Sequence, residues 1–485
     1  MSSLKDRAIK GVLWSAIERF GNQGILFLIG LILARMLMPE DYGLIGMLMV
    51  FIAIAQVFVE GGFSASLIRK TAPTEEDYST VFWFNLVVAV VFYVVIFIFS
   101  PVIARFYNEP LLNLLAKFIG LSIVINAFGI IQKTILTKRL DFKSQAKINI
   151  FSIVLSGVIG IITAWLGYGV WALVMQNLSR NVLMNVGFWL RIKWMPKLVF
   201  SEASFKDLFG FGSKLLLSSL INAISENLYA IIIGKLYNAK SLGYYTRANQ
   251  FQKLPVSSIY GAIGVVTYPV LSELKHDRMR LKEAYRTMIR MIAYVLFPIV
   301  AILACVAEPM VKIILTDKWL PCVPILQILC IVGAFYPLHA INLDILKVKG
   351  RSDLFLKLEV IKQVFNILMI VICFRWGVIG LVWGSVAINV LCYYLNSFFS
   401  KTLIDYGTKD QLKDLAVFAL MSVFIIVIML LVGQLIHNQL LRLFLIPIAG
   451  TGAYLIISYF FKVDELFKIK EIFSNLIKKT KLSHS

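Results

Sequence analysis

Runs of about twenty apolar residues, each long enough to cross a ~30 Å hydrocarbon core, recur along the whole chain, and no other feature limits its fold so tightly. Inside hydrocarbon no water reaches the backbone amides, so each run must satisfy its own N–H and C=O groups as a helix. Fourteen runs stand between charged residues or Gly/Pro breaks, at 12–33, 43–66, 80–103, 113–136, 148–166, 171–190, 210–233, 243–268, 291–314, 321–346, 357–375, 378–399, 413–435 and 440–461. No long soluble stretch interrupts them. Of 485 residues, 59% are apolar and 15% charged, whereas a water-soluble chain carries about a quarter charged. The expectation is an all-α polytopic membrane protein with about 14 transmembrane helices.

Cysteines and the N-terminus add little chemistry. Cys305, Cys322, Cys330, Cys373 and Cys392 form no C-x-x-C pair, and most sit in apolar runs as small buried hydrophobes. A cleavable leader is not expected, because the first run is too long, is interrupted by Glu18-Arg19 and lacks a small-residue cleavage site.

Charge sets the orientation. Lys and Arg crowd the N-terminal segment, the even-numbered connections and the C-terminal tail, and are sparse on the odd-numbered connections. Lys138, Arg139, Lys143 and Lys147 follow the fourth run, while none lies between Gly167 and Val170 after the fifth. The positive-inside rule then places both termini in the cytoplasm. The formal charge of +21 reads as topology charge beside anionic lipid heads, and no nucleic-acid partner is expected. In the tail, Leu466, Ile469, Phe473 and Leu476 share one helical face among lysines, the pattern of an amphipathic helix on the inner leaflet.

Several runs carry polar stripes at helical spacing. In the first, Ser15, Glu18, Arg19, Asn22 and Gln23 fall on one side. The sixth has Gln176, Asn177, Arg180, Asn181 and Asn185; the seventh has Lys214, Ser218, Asn222, Ser225 and Glu226. Arg247 and Gln250 open the eighth, and Glu359, Lys362, Gln363 and Asn366 lie near the cytoplasmic end of the eleventh, most simply as a structural group. Groups facing lipid would go unsatisfied, so these stripes should face protein or a watery cavity. Arg19 and Arg180 lie roughly 12–13 Å into their runs at 1.5 Å per residue, near mid-bilayer, where a lone charge costs about 3 kcal/mol or more. An arginine fork stays charged there and suits phosphate oxygens. The expected anion site is Arg19, Arg180, Arg247 and Lys214, with Asn22, Gln23, Gln176, Asn177, Asn181 and Asn222 bonding sugar hydroxyls. Against this stands plain packing: Glu18 or Glu60 neutralising Arg19, Lys214 snorkelling, and Arg247 anchoring at the outer interface. Glu18, Glu60 and Glu226 are the expected groups for any coupling ion.

Three weak matches recur in order at offsets near 200–210. LARMLMPEDYGLIG pairs with IIIGKLYNAKSLGYYT, each placing a Gly (Gly43, Gly243) at the start of the next helix. ILTKRLDFKSQAKI from Ile135 pairs with ILKVKGRSDLFLKL from Ile345, and Gly167-Tyr168-Gly169 with Gly377-Val378-Ile379-Gly380. Together they suggest two parallel six-helix repeats around a central cavity: lobes at 1–200 and 201–401, two additional helices at 402–461 and a cytoplasmic tail at 462–485.

LARMLMPEDYGLIGM from Leu33, GGFSASLIRK from Gly61, GYYTRANQFQKLP from Gly243 to Pro255 and TYPVLSEL from Thr267, with Asp277 and Tyr285 beyond it, resemble the Wzx-type oligosaccharide flippases, particularly the colanic-acid exporter branch. The resemblance covers most of residues 1–400. It implies membership of the multidrug, oligosaccharidyl-lipid and polysaccharide exporter superfamily. It implies alternating-access translocation of a polyprenyl-pyrophosphate-linked glycan across the bacterial cytoplasmic membrane, for O-antigen, capsule or exopolysaccharide assembly. The implied partners are that lipid-linked glycan, membrane lipids and a polysaccharide polymerase machinery.

No catalytic residue, metal site or cofactor is expected. There is no G-x-x-x-x-G-K-[ST] or H-E-x-x-H motif, and His276, His339, His437 and His484 are scattered. Two rivals remain at this point: a cation-coupled multidrug antiporter of the same superfamily, which would want acidic residues dominating the cavity, and a membrane sugar polymerase or ligase, which would want a sizeable outer loop.

Overall fold

The computed structural model describes residues 4–471, apart from the side chains of 4–13, 15–20, 211, 214, 262–269, 352 and 356. Among the described residues the chain is helical throughout, without a strand. The helices are α1 (Leu4–Met36), α2 (Pro39–Glu60), α3 (Phe63–Arg69), α4 (Glu75–Tyr107), α5 (Leu111–Ala127), α6 (Ile130–Lys138), α7 (Phe142–Trp165) and α8 (Trp171–Arg191). They continue as α9 (Glu202–Leu236), α10 (Ala239–Glu273), α11 (Arg278–Met310), α12 (Cys322–Val348), α13 (Ser352–Cys373), α14 (Gly377–Ile404), α15 (Thr408–Leu435) and α16 (Gln439–Phe460). Residues 464–471 are helical as well.

Ten helical segments are long and apolar enough to span a bilayer, one of them running through α13 and α14. This is a multi-pass membrane protein. The polar stripe of α8 keeps that helix out of the set, and within α1 the stretch Gly21–Met36 is apolar.

The helices outrun the apolar stretches because their ends are capped. Thr74 Oγ1 accepts from the Asp77 amide at 3.2 Å while Asp77 returns a bond to the Thr74 amide at 2.8 Å, a capping box that starts α4 before its apolar core begins. Ser201 and Asp277 cap α9 and α11 by accepting from first-turn amides, without the reciprocal bond. Two runs that read as continuous are broken. The run 43–66 stops at Glu60 because Gly61 and Gly62 take positive φ of 50° and 71°, and α3 restarts at a new angle. Gly62 also lies against the Gly212 backbone, 2.5 Å from where a Cβ would sit. The run 113–136 is divided at Phe128-Gly129 into α5 and α6.

The chain divides into two compact units, Met1–Thr246 and Arg247–Ser485. In the first, α1 packs on α7, α7 on α8, α4 on α5 and α2 on α9. Phe63, Phe82, Ile131, Ile135 and Phe188 form a buried core within it. Gly43 and Gly243, the glycines matched in sequence, meet reciprocally at the starts of α2 and α10. A Cβ on Gly43 would fall 1.7 Å from the Ala239 carbonyl oxygen, and one on Gly243 would fall 1.9 Å from that of Pro39. Each helix thus starts against the other's glycine, 200 residues away.

In the second unit α11 packs on α12, α15 and α16, and α12 on α14. A charge network centred on the buried Asp414 and Glu465 ties α11 to α15 and to the C-terminal segment. Arg286 grips Asp414 through two bonds of 2.6 Å. Arg290 reaches Asp414 at 3.2 Å and Glu465 at 2.6 Å, and the Tyr406 hydroxyl donates to Asp414 at 2.7 Å. Glu465 is 1% exposed, so the segment entering the expected surface tail is held inside this network. Phe473 and Leu476 lie outside the described residues.

Candidate functional site

A polar cavity of about 420 Å³ lies within the first unit, in a region otherwise built of apolar helices. Gln56 and Glu60 from α2, Ser122 and Asn126 from α5, Lys133 from α6 and Asn227 from α9 contribute to its wall. The largest polar share comes from α8, whose Asn177, Arg180, Asn181 and Asn185 fall on one face at spacings of three and four. Helix spacing and the break between α5 and α6 at Phe128-Gly129 bring these groups together, Asn126 from the end of α5 and Lys133 from the start of α6.

The wall is ordered by its own hydrogen bonds. Asn181 Nδ2 donates to Asn177 Oδ1 at 3.1 Å, and Asn185 Nδ2 donates to the Asn181 carbonyl at 2.8 Å. Gly129 makes room for Asn185, since a Cβ there would lie 1.9 Å from Asn185 Oδ1. That oxygen and Ser122 Oγ are buried without a hydrogen-bond partner among the described residues. Orphaned buried acceptors and donors of this kind cost about 1–3 kcal/mol each, and a hydroxyl-rich guest would satisfy them.

Charge is the second property. Arg180 and Lys133 line the cavity with one carboxylate, Glu60, giving a net positive wall. None of the three forms an ion pair within 4.0 Å among the described residues. Arg180 therefore lies nine residues into α8, roughly 13 Å along it, without the neutralising partner that a packing role would supply.

The expected residues are distributed as follows. Arg180, Asn177, Asn181 and Glu60 line this cavity. Gln176 is turned toward α7, its Cβ 2.9 Å from the Cβ position of Gly160. Asn22 and Gln23 are partly buried on α1 and Asn222 is exposed on α9; none of them lines the cavity. Glu226 is exposed, next in sequence to the lining residue Asn227. Arg247 belongs to the second unit, 1% exposed, with its guanidinium 5.5 Å from the Trp319 ring centre and bonded to Gln250 Oε1 at 2.8 Å. The side chains of Glu18, Arg19 and Lys214 lie outside the described residues. Sequence reading passed over Lys133, Gln56, Asn126 and Asn227. The only signal for Lys133 was a lysine inside an otherwise apolar run.

Against known proteins, residues 32–324 match the model of a family described as polysaccharide biosynthesis protein. The chain is 31% identical over 356 residues to the teichuronic acid biosynthesis protein TuaB of Bacillus subtilis, covering 73% of this chain and 74% of that one. It is 26% identical over 406 residues to the lipopolysaccharide biosynthesis protein WzxC of Escherichia coli, covering 82% and 81%. Among solved structures, the lipid II flippase MurJ in an inward closed conformation superposes with a TM-score of 0.77 at 17% identity, over 94% of this chain and 100% of that one. At that identity the likeness is one of fold.

Proposed function

Because this chain belongs to the polysaccharide biosynthesis protein family, we propose that it is a flippase that moves a polyprenyl-pyrophosphate-linked oligosaccharide across the bacterial cytoplasmic membrane for surface polysaccharide assembly. The relatives' names support the glycan, and the MurJ-like fold supports a lipid-linked cargo. The observation that carries the reading is Arg180, without an ion-pair partner among the described residues, set with Lys133 in a carboxamide-lined cavity.

The chemistry fits an anionic, hydroxyl-rich head. A guanidinium presents two parallel N–H bonds to phosphate oxygens, each charge-assisted bond worth about 1.5–3 kcal/mol. Asn and Gln supply both donors and acceptors for sugar hydroxyls. An organic cation would meet two positive charges against one carboxylate in the same wall, so the antiporter reading is disfavoured. No chemical step on the sugar is required of any residue, and the role is transport.

The remaining features extend the same proposal. Fourteen spans with both termini cytoplasmic, arranged as two six-helix repeats and a further pair, would allow access to alternate between the two faces of the membrane. Arg19 and Lys214 would add positive charge to the head-binding region from α1 and α9, and a polysaccharide polymerase would receive the product.

The test is translocation of a fluorescent polyprenyl-pyrophosphate-linked sugar in proteoliposomes, followed by quenching at the outer face. Arg180→Ala should slow transport about 10–100-fold, the equivalent of one lost charge-assisted pair, with Arg180→Lys in between. Transport by a normally folded Arg180→Ala protein at the wild-type rate would remove the proposed anion seat.

A further inference from the structure

The connection from α8 to α9, residues 192–201, has no helix of its own, yet it is pinned along its length. Two of its side chains turn inward. Ile192 joins the core of Phe63, Phe82 and Phe188, and the Trp194 ring centre lies 6.1 Å from those of Tyr78 and Phe82 on α4. The same helix holds the backbone. The Lys197 amide donates to Ser79 Oγ at 3.1 Å and the Ser201 amide to Thr80 Oγ1 at 3.0 Å, while Trp83 Nε1 donates to the Lys197 carbonyl at 2.8 Å. Ser79 and Thr80 are fully buried, so their hydroxyls serve this neighbouring segment.

The outward side is apolar. Met195, Leu198 and Phe200 are 69%, 89% and 56% exposed, with Val199 also exposed. Lys193 and Lys197 are exposed among them and form no ion pair with a described residue. Exposed apolar clusters rimmed by charge mark a surface that meets a partner or a membrane, and depth selects the membrane. On α4 the first large apolar residue that is strongly exposed is Val87; at 1.5 Å per residue, Ser79 to Trp83 lie roughly 6–12 Å before it. That is the boundary layer in which amphipathic segments settle, their apolar side chains entering the headgroup–acyl border by about 5–10 Å. The exposed stripe Val182, Val186 and Leu190 of α8 leads into it. Irregular backbone at such a boundary must find protein partners for its N–H and C=O groups, and Ser79, Thr80 and Trp83 are those partners.

We propose that residues 193–200 are an interfacial anchor that binds an anionic lipid surface. Met195, Leu198 and Phe200 enter the border of the acyl chains, and Lys193 and Lys197 meet lipid phosphates. The anchor is separate from the polar cavity and stands whatever that cavity carries. Because the Ser201 amide is bonded to Thr80, it also sets the depth at which α9 begins.

Quenching of a fluorophore on the full chain decides it. With the five native cysteines replaced, nitrobenzoxadiazole is attached at Leu198→Cys, or at Phe200→Cys as a second site. The protein is reconstituted into phosphatidylcholine vesicles with and without phosphatidylglycerol. Phosphatidylcholine spin-labelled near its glycerol should quench both sites, and aqueous iodide on both faces should quench neither. Phosphatidylglycerol should raise the ratio of lipid to iodide quenching, by about five-fold for each lysine. Lys193→Gln with Lys197→Gln should abolish that rise. Quenching by iodide alone puts the segment in water and overturns the anchor; protection from both quenchers puts it under protein and does the same. Lipid quenching that ignores phosphatidylglycerol, or a rise that survives loss of both lysines, overturns the recognition of anionic lipid.

Discussion

Substituting Gly43 by Ala tests the crossing of α2 and α10. The added Cβ would stand 1.7 Å from the Ala239 carbonyl oxygen and 2.8 Å from its Cα. Real Cβ atoms essentially never come under 3.0 Å, so the two backbones must part by about 1.3 Å or more. Both offending atoms are backbone, so no rotamer change relieves the clash. Neither helix start is free to yield. The Met38 amide donates to Asp41 Oδ2 at 2.8 Å and the Ser241 amide to Asn238 Oδ1 at 2.8 Å. Overpacking of this kind costs about 1–3 kcal/mol, and more where nothing can move. At roughly 2–4 °C per kcal/mol for a unit of 150–250 residues, the midpoint should fall by about 5–10 °C. Thermal unfolding of the detergent-solubilised protein, followed by size-exclusion chromatography, reads this directly. Gly243→Ala should behave alike, with its contact of 1.9 Å to Pro39. Gly24→Ala, with nothing within 4 Å, should leave the midpoint unchanged or raise it, since Ala is the better helix former. A Gly43→Ala midpoint within about 2 °C of wild type would refute the reasoning.

Other substitutions report on the cavity and on one helix cap. Gly129→Ala should push Asn185 Oδ1 aside, slowing sugar transport several-fold while shifting the melting midpoint little, because the displaced group is a side-chain end. Lys133→Ala should slow transport less than Arg180→Ala, as a compact ammonium binds phosphate without the bidentate fork; equal or larger losses in the same proteoliposome assay would reverse that ranking. Asp141 caps α7 through Ser144. Burial pushes its carboxyl up, but the Ser144 hydroxyl and amide and the Arg191 guanidinium outweigh that and hold it below its ordinary value. The folded state thus favours the carboxylate. Its contribution is complete above the ordinary aspartate value of about 4 and fades as pH falls through the lower folded value. Asp141→Asn, which keeps a capping oxygen but loses the charge facing Arg191, should cost up to about 1 kcal/mol at neutral pH, with the difference from wild type shrinking on acidification in a melting series.

Legibility followed local chemistry. Apolar length marked the helices, and cap residues such as Thr74, Ser201 and Asp277 were in plain view, although an apolar count starts α4, α9 and α11 too late because polar first turns lie in the headgroup zone. The polar face of α8 was readable from spacing alone, since i, i+3 and i+4 positions share a side whatever packs against them. The rest depended on contacts distant in sequence. Gly61-Gly62 gave a local hint of a break, but the Gly212 backbone beside Gly62 lies 150 residues on. Lys133 enters the cavity only because α5 and α6 part at Gly129, and a window average hides a single lysine among apolar neighbours. Arg247 shares its run with Gln250 and reads as an interfacial anchor, whereas its shielding comes from Trp319, which no periodicity connects to it. Glu465 belongs to a stretch that reads as a surface helix, and its burial follows from Arg290 on α11.

That last contact has a consequence for biosynthesis. Arg290 and Glu465 are 175 residues apart in the chain, so at about 5–20 residues per second a nascent guanidinium waits roughly 10–35 seconds for its carboxylate. Asp414 emerges earlier but is shared with Arg286. During that interval α11 carries a charge that the lipid phase would reject. Its final seating should therefore lag behind insertion, with the helix held at the translocation channel or its lipid boundary until the C-terminal segment arrives.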